Sequence, residues 1–173
     1  MENNLPQEQL FTVNKSAIRF LCTPIFHAKE IGLSYRTINH YLEKGIISKQ
    51  KDSNKNYWKQ FTPIEYIWIQ IVVSCRNFGL SINNICKLKS RIFEENKLGF
   101  VDRFGFINPS FVEIIAQAIH GNRNISIEIF YDFTYTFSDL TKQRALSSYF
   151  LEPHLHLPLK DAIEKVVLYR SRL

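Results

Sequence analysis

The fold is decided by one stretch: Ala28-Lys29-Glu30-Ile31-Gly32-Leu33-Ser34-Tyr35-Arg36-Thr37-Ile38-Asn39-His40-Tyr41-Leu42-Glu43-Lys44-Gly45-Ile46-Ile47. A basic segment ending Tyr57-Trp58-Lys59-Gln60-Phe61 follows it. The punctuation predicts two short helices joined by a tight turn. Ile25 and Ala28 fall on the inner side of the first helix. Gly32 takes φ > 0 without a Cβ clash and stops that helix. Ser34 is placed to accept a hydrogen bond from the free N–H groups of the next turn, as an N-cap does. The second helix then runs from Tyr35 to Lys44, with Ile38, Tyr41 and Leu42 at i, i+3 and i+4 as one apolar stripe. Arg36, Asn39, His40 and Glu43 fall elsewhere on the cylinder and face out. Gly45 suits the position just past the helix end. A short helix with Tyr, Arg, Asn and His near its N-terminal end can enter a major groove, where such side chains reach base edges and phosphates.

Working outward, residues 46–61 place Asp52-Ser53-Asn54, which is turn chemistry, between two short extended runs. A basic β-hairpin is expected there; a plain solvated loop is the alternative. Thr62-Pro63-Ile64-Glu65 starts a helix, because Thr62 can cap, Pro63 suits the first turn and Glu65 can close a capping box. Ile64, Ile67, Ile71, Cys75 and Phe78 mark its buried face, widened by Trp68 and Val72. After Gly79, Ser81 caps a further helix. Ile82, Ile85, Leu88 and Ile92 point inward there, and Lys87, Lys89 and Arg91 are more exposed.

These pieces, in this order, resemble the helix-turn-helix of the MerR family of bacterial transcription regulators. The shared residues are Ala28-Lys29, Gly32-Leu33-Ser34, Arg36-Thr37-Ile38, Tyr41 and Glu43-Lys44-Gly45-Ile46-Ile47. The family continues with a two-stranded wing whose far end carries an aromatic, an Arg and a second aromatic; Trp58, Lys59 and Phe61 stand in those places. A helix and a Gly-x-Ser-x-x-x-Ile turn come next, fitted here by Gly79, Ser81 and Ile85. The likeness covers residues 24–92. It implies a sequence-specific regulator bound to double-stranded DNA, with a recognition helix at 34–44 in the major groove and a basic wing at 46–61 on the phosphates. The contacts implied come from Ser34, Tyr35, Arg36, Thr37, Asn39, His40, Lys44, Lys51, Lys55, Tyr57 and Lys59. Asn39-His40-Tyr41 depart from the family's usual Arg-Tyr-Tyr. The wing loop is longer, and Tyr57 and Lys59 replace its usual Gly and Arg. Family members usually dimerise through a long helix after this domain, and the sequence shows none.

Charge supports the same placement. Residues 1–97 hold 14 Lys+Arg against 8 Asp+Glu, while residues 98–173 hold 8 of each, so the whole net charge of +6 sits on the front half. Between His27 and Gln60 there are seven basic residues and three acidic ones. Lys and Arg make the phosphate contacts that supply most non-specific DNA affinity. A basic excess alone is only a soluble surface; its coincidence with the helix pair makes the argument. With 45% hydrophobic residues, a chain of 173 can fill a core in one domain or two small ones. No apolar run is long enough to span a membrane, and Met1–Gln7 carries no signal pattern. Cys22, Cys75 and Cys86 are an odd set without metal-type spacing and read as reduced thiols in a cytoplasm.

The fold class expected is α+β: a leading segment at 1–23, the winged helix-turn-helix at 24–97 and a helix-plus-antiparallel-hairpin domain at 98–173. Residues 1–13 read as a loose tail, and 14–21 as a strand or a short helix. Leu98–Asn108 is a connector whose phenylalanines (100, 104 and 106) should pack. Pro109 opens a helix over Ser110–His120 with Val112, Ile115, Ala116 and Ile119 on one side, ended by Gly121-Asn122. Ile125–Asp139 alternates as one strand, odd positions buried and Ser126, Glu128, Asp132, Thr134, Thr136 and Ser138 wet, with Phe130 the exception. Tyr149–Leu159 repeats the pattern after a connection at 140–148. Lys160–Arg170 closes as a helix with Ala162, Ile163, Val166 and Val167 inward. Two strands leave unpaired edges that a second copy can satisfy, and two copies let a helix-turn-helix span successive major-groove turns. A homodimer through the back half is therefore expected.

Two constellations remain in that half. Glu152, His154 and His156 at i, i+2 and i+4 can ligate Zn or a similar ion, with Asp132 or Glu128 completing the set, although alternation alone demands polar residues there. The aromatic run Phe130–Phe137 can line a pocket for a small apolar effector or simply pack in a core or interface. The absence of cysteine from 98–173 excludes a thiolate metal site in that half. No Gly-rich phosphate loop, Gly-x-Ser-x-Gly or paired-cysteine site is present, so neither an enzyme nor a cofactor is expected. Against the DNA-binding regulator stand two other readings: a metal-dependent protein built on Glu152/His154/His156, and a winged module turned to protein interaction or architecture.

Overall fold

The computed structural model describes residues 15–48, 60–95, 100–101, 107–140 and 153–171, with backbone alone at 100–101 and 107–108. The expected tail at 1–13, the wing at 49–59, Phe104 and Phe106 of the connector, the link at 141–148 and Tyr149–Glu152 lie outside the described residues.

Helix α1 (Lys15–Leu21) resolves the open choice at 14–21 and buries Ala17 and Leu21. Strand β1 (Phe26–His27) leads directly into α2 (Ala28–Ile31). Ile25 thus precedes the helix rather than lining it, and its N–H donates to Phe61 O at 3.0 Å. Gly32 stops α2 with φ 78°. Helix α3 (Tyr35–Glu43) has Ser34 as N-cap and Lys44 as C-cap. The far end of the wing segment, β2 (Gln60–Phe61), pairs antiparallel with β1, Phe26 opposite Phe61. Both phenylalanines are fully buried, which is why this short ladder is fixed in register.

Helix α4 (Pro63–Asn77) begins as its sequence requires: the Glu65 N–H donates to Thr62 Oγ1 at 3.2 Å and the Thr62 N–H to Glu65 Oε2 at 2.9 Å. Nine of its fifteen residues are buried, so it is the spine of the front half. Phe78, expected on that face, is 66% exposed. It sits one residue beyond the last helical turn, where Gly79 at φ 86° redirects the chain. Helix α5 (Ile82–Ser90), capped by Ser81, continues into a π turn at Arg91–Glu95 and buries Ile85, Leu88 and Ile92. Lys89 and Arg91, expected to be more exposed, are half-buried and reach backbone carbonyls of other segments.

A two-residue ladder, β3 (Phe100–Val101) with β4 (Ile107–Asn108), leads to α6 (Phe111–Gly121). Ser110 and Glu113 form a capping box there, and Asn122 ends the helix in the left-handed region at φ 46°. Phe111, Ile114, Ile115, Ala116 and Ala118 are buried, while Val112 and Ile119 are half-buried.

The single strand expected over 125–139 is two. Strand β5 (Ile125–Phe130) and β6 (Tyr135–Asp139) are joined by a turn at 131–134. Asp132 Oδ1 accepts from the Thr134 N–H at 3.0 Å, the Phe130 N–H donates to Thr134 O at 2.9 Å, and Phe133 sits at φ 63°. Ile129 pairs with Tyr135 and Ile127 with Phe137, so partners lie an even number of positions apart, with five residues between Ile129 and Tyr135. Odd positions therefore stay on one face through the turn, and a period of two reads the same with or without it. Tyr131, formally an inward position, is at the turn and 71% exposed.

Strand β7 (His154–Pro158) pairs antiparallel with β5 on its other edge, giving a three-stranded sheet of order β6-β5-β7 rather than two strands. A central strand is covered more fully than an edge one, and all six residues of β5 are buried, including the expected wet Ser126 and Glu128. The third strand relieves the marginality of a two-stranded sheet, and β6 and β7 are its outer strands. Helix α7 (Lys160–Arg170) buries Ala162, Ile163 and Val166, but Val167 is 40% exposed. One hydrophobic cluster runs from Ala17 through α3, α4 and α5 to α6, the sheet and α7, so the core crosses residue 98. Helix α1 packs on α6, and α4 on α7.

Candidate nucleic-acid interface

Helix α3 is turned outward. Ile38 and Tyr41 bury their side chains and Leu42 is half-buried, whereas Tyr35, Arg36, Asn39, His40 and Glu43 are exposed. Those five residues line one open groove of about 560 Å³. A second groove of about 530 Å³ flanks the start of the helix, lined by His27, Ala28, Lys29, Leu33, Tyr35 and Ile38. Tyr35, at the first helical position and 59% exposed, lies between the two. The helix therefore offers a guanidinium, an amide, an imidazole and a phenol on one exposed side, which is the donor and acceptor set that reads base edges. The Glu43 carboxylate lies at the far end of that side.

Ser34 and Thr37, two of the contacts implied by resemblance, are engaged in building the helix. Ser34 Oγ accepts from the Thr37 N–H at 3.1 Å and lies 2.8 Å from Thr37 Oγ1. This cap fixes the first turn of α3, where Tyr35 and Arg36 project. At the other end Gly45 takes φ 73°. The Ile46 N–H returns to Tyr41 O at 2.9 Å and the Gly45 N–H to Leu42 O at 3.2 Å, the two bonds of a Schellman motif. Lys44 is exposed beside it. Burial holds the Tyr41 hydroxyl above its ordinary pKa, opposed by the nearby Arg76. Lys51, Lys55, Tyr57 and Lys59, the implied wing contacts, lie outside the described residues.

Strand β1 and helix α2, which lead into α3, are braced by the end of the chain. Phe26 stacks on Tyr66 (centroids 4.7 Å, 16°) and meets Tyr169 of α7 on its other side (4.5 Å, 35°). The Tyr169 hydroxyl donates to Ile25 O at 3.2 Å, and Lys165 Nζ donates to Glu30 O at 3.3 Å while lying 5.2 Å from the Tyr66 ring centre. Glu30 itself accepts the His27 N–H at 2.6 Å, which starts α2. Tyr169 and Ile25 are 144 residues apart, so no local pattern signals this brace.

In the back half, the structure brings together one pair that sequence spacing proposed. Glu128, 4% exposed, faces His156, whose Nδ1 lies 3.0 Å from Oε1 and 2.9 Å from Oε2. His154 Nε2 is 3.7 Å from Glu128 Oε2, and the Ser126 hydroxyl donates to Oε1 at 2.9 Å. A carboxylate this buried needs such partners to offset its desolvation. Glu152 lies outside the described residues, and among those described no group of three or more His, Cys, Asp or Glu is arranged to hold a metal ion. Asp132 is in the exposed turn, away from that strand pairing. Within the aromatic run, Phe137 stacks on Phe111 at 5.8 Å and Phe130 lies 5.6 Å from the His154 ring, while Tyr131 is exposed at the turn.

A protein-family model described as MerR HTH family regulatory protein matches residues 27–92. No curated protein and no solved structure matches the chain. The matched span begins at the His27 cap and ends within the π turn that follows α5. It takes in α2 and α3, residues 49–59, and the helices α4 and α5. Among the described residues no helix is long and apolar enough to cross a membrane.

Proposed function

Taking residues 27–92 as the MerR-type helix-turn-helix they match, we propose that the chain is a sequence-specific DNA-binding transcription regulator acting in the cytoplasm. At the level of the family, the match supports DNA binding and transcription regulation. The finer reading rests on one observation: Tyr35, Arg36, Asn39 and His40 stand exposed along one side of a helix whose opposite side is locked into the core. Tyr35 and Arg36, in the first turn, meet base edges, since recognition helices read with their N-terminal residues. Asn39 and His40, one turn later, meet either base edges or the sugar–phosphate backbone. Ser34, Thr37 and Lys44 lie at the two ends of the helix and face phosphates there. Lys51, Lys55, Tyr57 and Lys59 add wing contacts by the family's pattern. Two copies joined through the back half place two such helices on successive turns of the groove.

The test is selection of bound duplexes from a random pool, followed by the same selection with Arg36→Ala and with Asn39→Ala. A recurring motif is expected, with preference relaxed at particular base pairs in each variant. A pool that shows no enrichment, or a motif that neither variant changes, rejects this assignment.

A further inference from the structure

Three successive carbonyls just past the recognition helix are each held by a side chain from α4 or α5. The Cys86 thiol donates to Lys44 O at 3.4 Å, the Lys89 ammonium to Gly45 O at 2.6 Å and the Trp68 indole N–H to Ile46 O at 2.9 Å. Lys89 Nζ also lies 3.4 Å from Ser48 Oγ. These carbonyls stand at the negative end of the α3 dipole, beyond the last turn that could supply them with helical N–H donors. The helix ending itself needs none of the three, because its Schellman turn is closed by the backbone N–H groups of Gly45 and Ile46. What the side chains add is a fixed relation between the exit of α3 and the helix pair α4–α5.

Lys89 differs from its two neighbours. Trp68 is part of the core, with its ring edge-on to Phe93 at 5.5 Å, and a thiol is a weak donor. Lys89 brings a full charge to two residues more than forty positions away in sequence. Burial lowers its pKa from the usual value, opposed by Glu94, Cys86 and Glu65, so a desolvation cost is being met at this spot.

We propose, on the DNA-binding reading above, that Lys89 is a positioning residue for recognition. By holding Gly45 and Ser48 it fixes the direction in which the chain leaves α3, and with it the angle at which Tyr35, Arg36, Asn39 and His40 meet a duplex. It does this without touching DNA itself. Cys86 and Trp68 hold the carbonyls on either side.

The test uses the full chain, with a duplex selected by the wild type and a scrambled duplex of equal length. Both affinities are measured by fluorescence anisotropy over a range of salt, with melting temperatures alongside. Lys89→Met keeps the stem and removes the donors. It should weaken the selected duplex by roughly ten- to a hundredfold, the loss of a hydrogen bond to a charged group. Scrambled-duplex affinity and the salt slope should stay at their wild-type values, and Lys89→Arg should recover part of the preference. Trp68→Phe should show the same pattern, and carries the test alone if Lys89→Met does not fold. A folded variant with full preference overturns the proposal. So does equal weakening on both duplexes with the salt slope reduced by about one, which marks a phosphate contact. If the wild type binds no DNA, the reading beneath falls and takes this inference with it. Intact wild-type binding with an indifferent Lys89→Met sinks the inference alone.

Discussion

Replacing Phe26 with Leu probes the joint between the front half and the end of the chain. Phe26 is fully buried and sits between Tyr66 of α4 and Tyr169 of α7, with ring centres at 4.7 and 4.5 Å. Aromatic pairs of this kind stabilise by about 0.5–1.5 kcal/mol each beyond their buried area, so two lost pairs cost about 1–3 kcal/mol. Leu keeps most of the volume, and repacking adds at most about 1.5 kcal/mol. A domain of ordinary stability, about 5–15 kcal/mol, survives this. The assay is urea unfolding followed by far-UV circular dichroism and by tryptophan fluorescence. The chain has two tryptophans, so Trp58 is first changed to Phe, leaving Trp68 in the core of α4 as the reporter. Both signals should shift to lower urea together, with unchanged slope, because one core spans both halves. A double-mutant cycle with Tyr169→Leu should return a coupling of about 0.5–1.5 kcal/mol. A shift under about 0.5 kcal/mol, or two signals that separate in the variant, refutes the stack as a joint between the halves.

Other perturbations follow from the same structure. Gly32→Ala should cost about 1–2 kcal/mol in urea unfolding. An added Cβ meets nothing within 4 Å, so the cost is backbone strain at φ 78° alone; an unchanged midpoint would show that the turn is not held there. Ser34→Ala should remove about 0.5–2 kcal/mol by leaving the Thr37 N–H without its cap, read by the same melt. Burial pushes the Cys75 thiol up from 9.0 to about 11. Above pH 9 the unfolded chain therefore loses its proton first, and the wild type should lose up to about 3 kcal/mol between pH 9 and 11. Cys75→Ala should show a shallower alkaline decline over that window, and equal slopes would contradict the assigned burial.

What the sequence disclosed and what it hid divide by range. Ser34, Thr62 with Glu65, and Ser81 all cap where their spacing predicts, because a cap bonds within three residues. Gly32, Gly45 and Gly79 end their helices for a similarly local reason. The hairpin at 131–134 stayed hidden because partners across it, such as Ile129 and Tyr135, are an even number of positions apart, which preserves the parity of alternation. Its local signs were Phe130 out of phase and Asp132 followed by Thr134. Long-range contacts left no trace in the pattern. The pairing of Phe26 with Phe61, Lys89 on Gly45 and Tyr169 on Ile25 depend on where helices cross. A lysine on a helix surface reads as solvated until its stem is seen lying across a neighbour. For the reading face, periodicity told which residues of α3 face out. Ser34, implied as a DNA contact by resemblance, is also legible as an N-cap from its residue type, and its cap engages the Thr37 N–H.

The central claim is that the positive charge of the front half is arranged to hold duplex DNA. It is tested most directly by measuring the affinity for a selected duplex between 50 and 200 mM salt. Log affinity should fall linearly with log salt, with a slope near −0.9 for each phosphate neutralised, and Arg36→Ala should weaken binding. An affinity that stays flat across that range, and is indifferent to Arg36, would contradict the account.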